Sequence, residues 1–164
     1  MEDPMNFKKI LLAVDASENS TRAVQYTGII VGGAADFQIE LLYVERLPER
    51  DIFPDENSWE KACVEEKNKI RSFLDQAKNI LVEMGVRPEI ISIRYLKSSE
   101  FYGLPEDTRF RGVANQIMQA QQNGDFGTLV VGRRGVSKAE EFLFGSVSTK
   151  IIHHSKGCSV WVVE

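Results

Sequence analysis

Lys8-Lys9-Ile10-Leu11-Leu12-Ala13-Val14-Asp15-Ala16-Ser17 is a nearly continuous apolar run that stops on an aspartate and passes at once into polar residues. A run without polar alternation suits a strand covered on both faces, as in the middle of a parallel sheet. The period then changes. Ser17-Glu18-Asn19-Ser20 leads into Ala23, Val24, Tyr26, Thr27, Ile30 and Val31, a helical stripe that ends at Gly32-Gly33. Phe37 to Val44 reads as a second strand, and Glu45 to Ser58, with Pro48, Pro54 and many charges, as a loop. From Trp59 to about Met84 apolar residues return at the helical period, with Gly85 as the stop. Glu89 to Leu96 alternates Ile91, Ile93 and Tyr95 with polar residues, the pattern of a strand at a sheet edge.

Lys97 to Arg111 has no sustained period and reads as a loop or short irregular insert. Gly112 to Gln122 predicts a helix, Phe126 to Val131 a fourth strand, Gly132 to Phe144 a glycine-bearing loop, Gly145 to about His154 a last helix, and Ser159 to Val163 a closing strand. Five strands alternating with four helices predict an α/β fold: a doubly wound, open, five-stranded parallel sheet of order 3-2-1-4-5, with 1–164 forming one domain. Ligands of such sheets sit beyond the carboxyl ends of the strands, where the strand order reverses. Asp15 and Gly132 would meet there.

Composition narrows the function classes. With 24 Asp and Glu against 20 Lys and Arg, the formal charge is −4 and the isoelectric point near 5.3. No basic field is available for a phosphate backbone, so nucleic acid is not an expected partner. Apolar runs such as Ile29-Ile30-Val31 and Leu129-Val130-Val131 fall far short of the roughly 20 residues that span a bilayer, so no membrane span is expected. Met1-Glu2-Asp3-Pro4 lacks the order of a secretory signal, and the expected location is the cytoplasm. Cys63 and Cys158 have no metal-site spacing and read as buried thiols.

Gly132-Arg133-Arg134-Gly135 and Gly145-Ser146 together have the form G-x2-G-x9-G-S. Glycines let backbone amides approach an anion, and a helix opened by Gly145-Ser146 would offer free N–H groups and its dipole to a polyphosphate. Turning the chain and capping a helix are the ordinary work of the same residues, and spacing alone leaves both readings open. No G-x4-G-K-[ST] is present and no G-x-G-x-x-G follows the first strand.

With these motifs in their order, the sequence resembles the universal stress protein family in its ATP-binding branch, from Lys9–Ser17 through Leu129–Gly135 and Gly145–Ser148 to Val160–Val163. The resemblance implies the adenine nucleotide alpha-hydrolase-like form of the fold. It also implies phosphate contacts at Gly132, Gly135, Gly145, Ser146 and the Val147 amide. Adenosine is implied against Ala13, Val14, Val44 and Val131, and Asp15 near the ribose or a metal. Two stretches depart from the family's pattern: Lys97 to Gly112 is longer than its usual short link, and Arg133-Arg134 stand where a small polar residue often precedes the second glycine. Arg134 reads as facing solvent.

Asp15 also suits an Asx-turn or helix cap, and beside a triphosphate it would hold Mg²⁺ or Mn²⁺. His153 and His154 are adjacent, so on a helix they diverge by about 100° and do not converge on one metal. Lys138, Glu140 and Glu141 read as solvated charges. Val160-Trp161-Val162-Val163 needs cover on both faces and leaves an edge to protect, which a partner chain can do. The resemblance implies a homodimer through this C-terminal strand. The leading reading is an ATP-binding regulatory module of the stress response with an unidentified protein partner. Two others compete. One is a slow ATPase, phosphotransferase or self-phosphorylating protein with Asp15 on Mg²⁺ and a loop arginine on the phosphoryl group. The other is a dimeric interaction protein with structural nucleotide, recognising a partner through Glu45–Ser58 and Lys97–Arg111.

Overall fold

The computed structural model describes residues 5–97, 112–133 and 147–164. The elements run β1 (Lys9–Ala13), α1 (Glu18–Val31), β2 (Gln38–Val44), α2 (Glu56–Glu83), β3 (Ile91–Leu96), α3 (Val113–Asn123), β4 (Thr128–Gly132), α4 (Val147–His154) and β5 (Ser159–Val163). Short 3-10 turns stand at Arg50–Ile52 and Pro88–Ile90. The sheet is parallel throughout, in the order β3-β2-β1-β4-β5 expected from the sequence. In the register Ala13 stands opposite both Leu42 and Val131.

A central strand alternates its side chains between two cores. Ile10, Leu12 and Val14 join Leu41, Tyr43 and Val130 under α1 and α2. Leu11 and Ala13 join Leu42, Val44, Leu129 and Val131 under α3 and α4. Ile10, Leu11 and Leu12 have no accessible surface, which is why that segment shows no polar alternation.

Three details differ from the expectation. Helix α2 starts at Glu56 rather than Trp59, because Asp55 caps it, accepting from Ser58 N at 2.7 Å and Ser58 Oγ at 3.0 Å. Those hydrogen bonds hold the Asp55 carboxyl below its usual range. A polar cap has no apolar period to betray it. Ile93 is 40% exposed although it alternates with Ile91 and Tyr95, since β3 is the sheet's outer strand. Cys63 is buried, whereas Cys158 is only half-buried at the entry to β5, and burial pushes its thiol pKa up. Among the described residues no helix is long and apolar enough to cross a membrane.

Leu12 lies wholly inside the α1–α2 core. Leu12→Ala is expected to lower the unfolding free energy by about 2–5 kcal/mol, to be read from urea denaturation.

Candidate functional site

β1 feeds α1 on one face of the sheet, and α4, which comes after β4, packs on the other. Between β1 and β4 the carboxyl ends therefore part. A cleft of about 790 Å³ opens there, and Ala13, Val14, Asp15, Val44, Val131, Gly132 and Val147 all line it. The remaining residues named from the sequence, Gly135, Gly145 and Ser146, lie outside the described residues, as do Arg134, Lys138, Glu140, Glu141 and 98–111.

The turn from β1 into α1 is tightly built. Asp15 Oδ1 accepts from Ser17 N at 3.2 Å and from Ser20 Oγ at 2.9 Å, while Ser20 Oγ accepts from Asp15 N at 2.9 Å. The helix cap is Ser17, whose Oγ accepts from Ser20 N at 3.2 Å. Asp15 thus closes an Asx-turn. Between the two, Ala16 holds a φ of +51°, an uncommon conformation for a residue with a Cβ.

Gly132 has a second reason to be glycine. A Cβ there would sit 2.6 Å from the carbonyl carbon and oxygen of Asn19 and 3.0 Å from Ser20 N. The first turn of α1 occupies the space of the missing side chain. Arg133 extends this junction: its N–H donates to Val163 O at 2.7 Å, its carbonyl accepts from Asn19 Nδ2, and its guanidinium pairs with Glu164. This loop arginine is engaged with the end of β5.

The wall toward α2 carries Tyr43, Arg46, Glu66 and Lys69, none of which the sequence had singled out. Ile70, a core residue of α2, was the available signal, since Glu66 lies one turn before it. Burial, the largest influence, raises the Tyr43 pKa; the Arg46 N–H opposes it, and the charges of Glu66, Glu45 and Asp15 add to it. Beside this wall Glu45, 8% exposed, accepts from Tyr95 Oη at 2.9 Å and lies 3.7 Å from Lys67 Nζ. Burial, then the contact with Glu45, pushes the Tyr95 pKa well above 10.0. His153 and His154 are exposed at the end of α4, with ring centroids 6.4 Å apart. Among the described residues no three His, Cys, Asp or Glu side chains converge as a metal site.

The profile of the universal stress protein family matches residues 6–164. The chain belongs to that family. This universal stress protein is similar to Universal stress protein Sll1388 of Synechocystis, 26% identical over 98% of this chain and 99% of that one. It is 25% identical to Universal stress protein MJ0531 of Methanocaldococcus jannaschii, over 96% of this chain and 82% of that one. Its fold matches UspA of Lactobacillus plantarum with a TM-score of 0.66 at 16% identity, covering 97% and 99% of the two chains. It also matches a universal stress protein solved in complex with cAMP, with a TM-score of 0.62 at 20% identity and 95% of both chains covered.

Two outcomes follow from the contacts. Gly132→Ala, by forcing a Cβ onto the backbone of α1, is expected to lower stability by about 1–3 kcal/mol, measured by denaturant titration. Tyr95 has a raised folded-state pKa, so the folded state keeps its proton after the unfolded chain has lost it. Stability is therefore expected to fall as pH rises above 10.0, and to fall less steeply in Tyr95→Phe, compared at matched pH by thermal melts.

Proposed function

We propose that this universal stress protein binds ATP together with Mg²⁺ or Mn²⁺ in the β1–β4 cleft and acts as a regulatory module of the stress response, 1–164 working as one nucleotide-binding unit. The observation that carries the reading is convergence: residues named from three distant parts of the sequence, Ala13–Asp15, Val44 and Val131–Gly132, line one cleft with Val147.

The chemistry of that lining supports a nucleotide. Along β2, Leu42 O accepts from Val14 N on the β1 side, and Glu45 N donates to Leu96 O on the β3 side. Main-chain polar groups alternate sides along a strand, so the Val44 amide and carbonyl face the β1 side, past that last β1–β2 bond. One donor and one acceptor side by side match the edge of adenine, which offers an amino donor beside a ring-nitrogen acceptor. Ala13, Val14 and Val131 supply apolar surface for the base. Helix α4 begins at Val147, and the N–H groups and dipole of a helix start favour phosphates. The cAMP complex of a relative with this fold agrees with an adenine nucleotide as the ligand class.

The donor set fits a metal of the Mg²⁺ type. Such an ion takes one or two carboxylates and fills its shell with phosphate oxygens and water. Asp15 would hold it, and the ion would neutralise charge between the phosphates. Within the chain, Asp15 keeps the α1 turn closed through Ser17 and Ser20. The homodimer through the C-terminal strand and a protein partner for signalling complete this reading.

Calorimetric titration tests it. ATP with Mg²⁺ is expected to bind saturably, and denaturing protein purified without added nucleotide is expected to release an adenine nucleotide, identified by mass. Asp15→Asn is expected to remove the Mg²⁺-dependent part of the affinity, a loss of about tenfold or more, while keeping the turn. Absence of heat with ATP and of any released nucleotide would overturn the assignment.

A further inference from the structure

Among the described residues, Arg22, Arg46 and Lys69 are the cations that line the cleft. Arg22 is paired with Glu18 at 2.7 Å. Close by, Lys67 lies 3.7 Å from Glu45, and Arg133 is held by Glu164. Arg46 and Lys69, both exposed, are in no ion pair among the described residues. Exposed cations are ordinary on a convex surface, but these two face a cavity. Their place in it decides what they can meet. Ile70, next to Lys69, belongs to the core under α1 and α2, whereas Val147, where α4 starts, packs on the core under α3 and α4. The free cations and the anion-favouring helix start therefore lie on opposite layers. They also lie at opposite ends of the strand order, since Arg46 follows β2 and α4 follows β4.

We propose that Arg46 and Lys69 form a second anion subsite, which selects adenine nucleotides carrying an additional phosphate on the 2′- or 3′-hydroxyl of the ribose. The proposal rests on the nucleotide reading above and names the ligand class within it. With the base at Val44 and the 5′-phosphates at Val147, the ribose crosses β1, and its hydroxyls are the part of the nucleotide left for the α2 wall. A 5′-chain that leaves toward α4 does not engage that wall. A ribose phosphate does: it brings close to two negative charges where a hydroxyl brings none. Arginine grips a phosphate with two parallel N–H groups, and lysine adds a point charge. Half-buried Glu66 shares the wall and opposes an anion. Two cations against one carboxylate leave a single net positive charge, so neutralising either cation leaves none.

Calorimetric titration of the full chain with AMP, adenosine 3′,5′-bisphosphate and adenosine 2′,5′-bisphosphate tests it. One of the two bisphosphates is expected to bind about tenfold or more tightly than AMP, which also fixes the hydroxyl concerned, and the advantage is expected to shrink as salt rises. Arg46→Gln and Lys69→Met, at exposed positions and with unchanged circular dichroism, are each expected to cut that advantage. The double variant is expected to bring the bisphosphate down to the affinity of AMP measured on the same protein. Lys61→Met, exposed on α2 but outside the cleft lining, is the control and is expected to keep the advantage. Equal wild-type affinity for AMP and both bisphosphates, an advantage that the double variant retains, or an equal loss in the Lys61 variant would each overturn the subsite and leave the nucleotide reading standing. Binding of neither bisphosphate would overturn it too, and the titration with ATP and Mg²⁺ then shows whether the nucleotide reading falls with it.

Discussion

At the end of β4 a side chain is excluded by backbone. Asn19 and Ser20 occupy the place a Cβ of Gly132 would take, and much of the molecule's working end depends on that contact. It presses the first turn of α1 against the sheet, next to the Asx-turn in which Asp15 and Ser20 hold one another. From the same junction Arg133 reaches the end of β5 through main chain and side chain alike. Three elements distant in sequence, β1 with α1, β4 and β5, are thereby fixed relative to one another around the cleft.

A second tie holds the other side. Glu45, buried immediately after Val44, costs desolvation free energy that must be offset by partners. Tyr95 from β3 and Lys67 from α2 supply them, and the Tyr95 ring stacks at a tilt on Tyr43 at 5.1 Å. The group joins β2, β3 and α2 at the carboxyl ends of the strands. The main chain of Val44 is thus held between the sheet and an anchored carboxylate, a rigid setting for its amide and carbonyl.

The architecture was readable in the sequence because a doubly covered sheet leaves a strong imprint. Ile10–Val14 and Leu129–Val131 are apolar without alternation, and glycines punctuate the helices. What stayed hidden was governed by single polar contacts or by distance. The Asp55 cap advanced α2 beyond the start of its apolar period, and the alternation that marked β3 as an edge strand did not show that Ile93 would stand open on it. At the site, strand order brought Asp15 and Gly132 together, while Ala13, Val14, Val44 and Val131 came from the family resemblance. Glu66 and Lys69 were not named, since only their position next to the core residue Ile70 separates them from charges in water. The spacing of Gly132 was noticed for an anion's sake, yet spacing does not tell an approaching phosphate from an approaching helix.

Helix α2 is anchored unevenly. Of its 28 residues, Cys63 is the first to be buried, and Ile70, Leu74, Ala77 and Leu81 carry the packing. Its first two turns are held mainly by the Asp55 cap and by the Trp59 indole on Pro48 O at 2.9 Å. Local opening costs least where few apolar contacts must be broken. Such a helix unwinds from its amino end while its carboxyl half stays on the sheet, so opening nears the cleft along the wall of Glu66 and Lys69 before it reaches the strands. The wall thus stands on the more weakly anchored half of α2, while the floor is built on Gly132 and the strand ends.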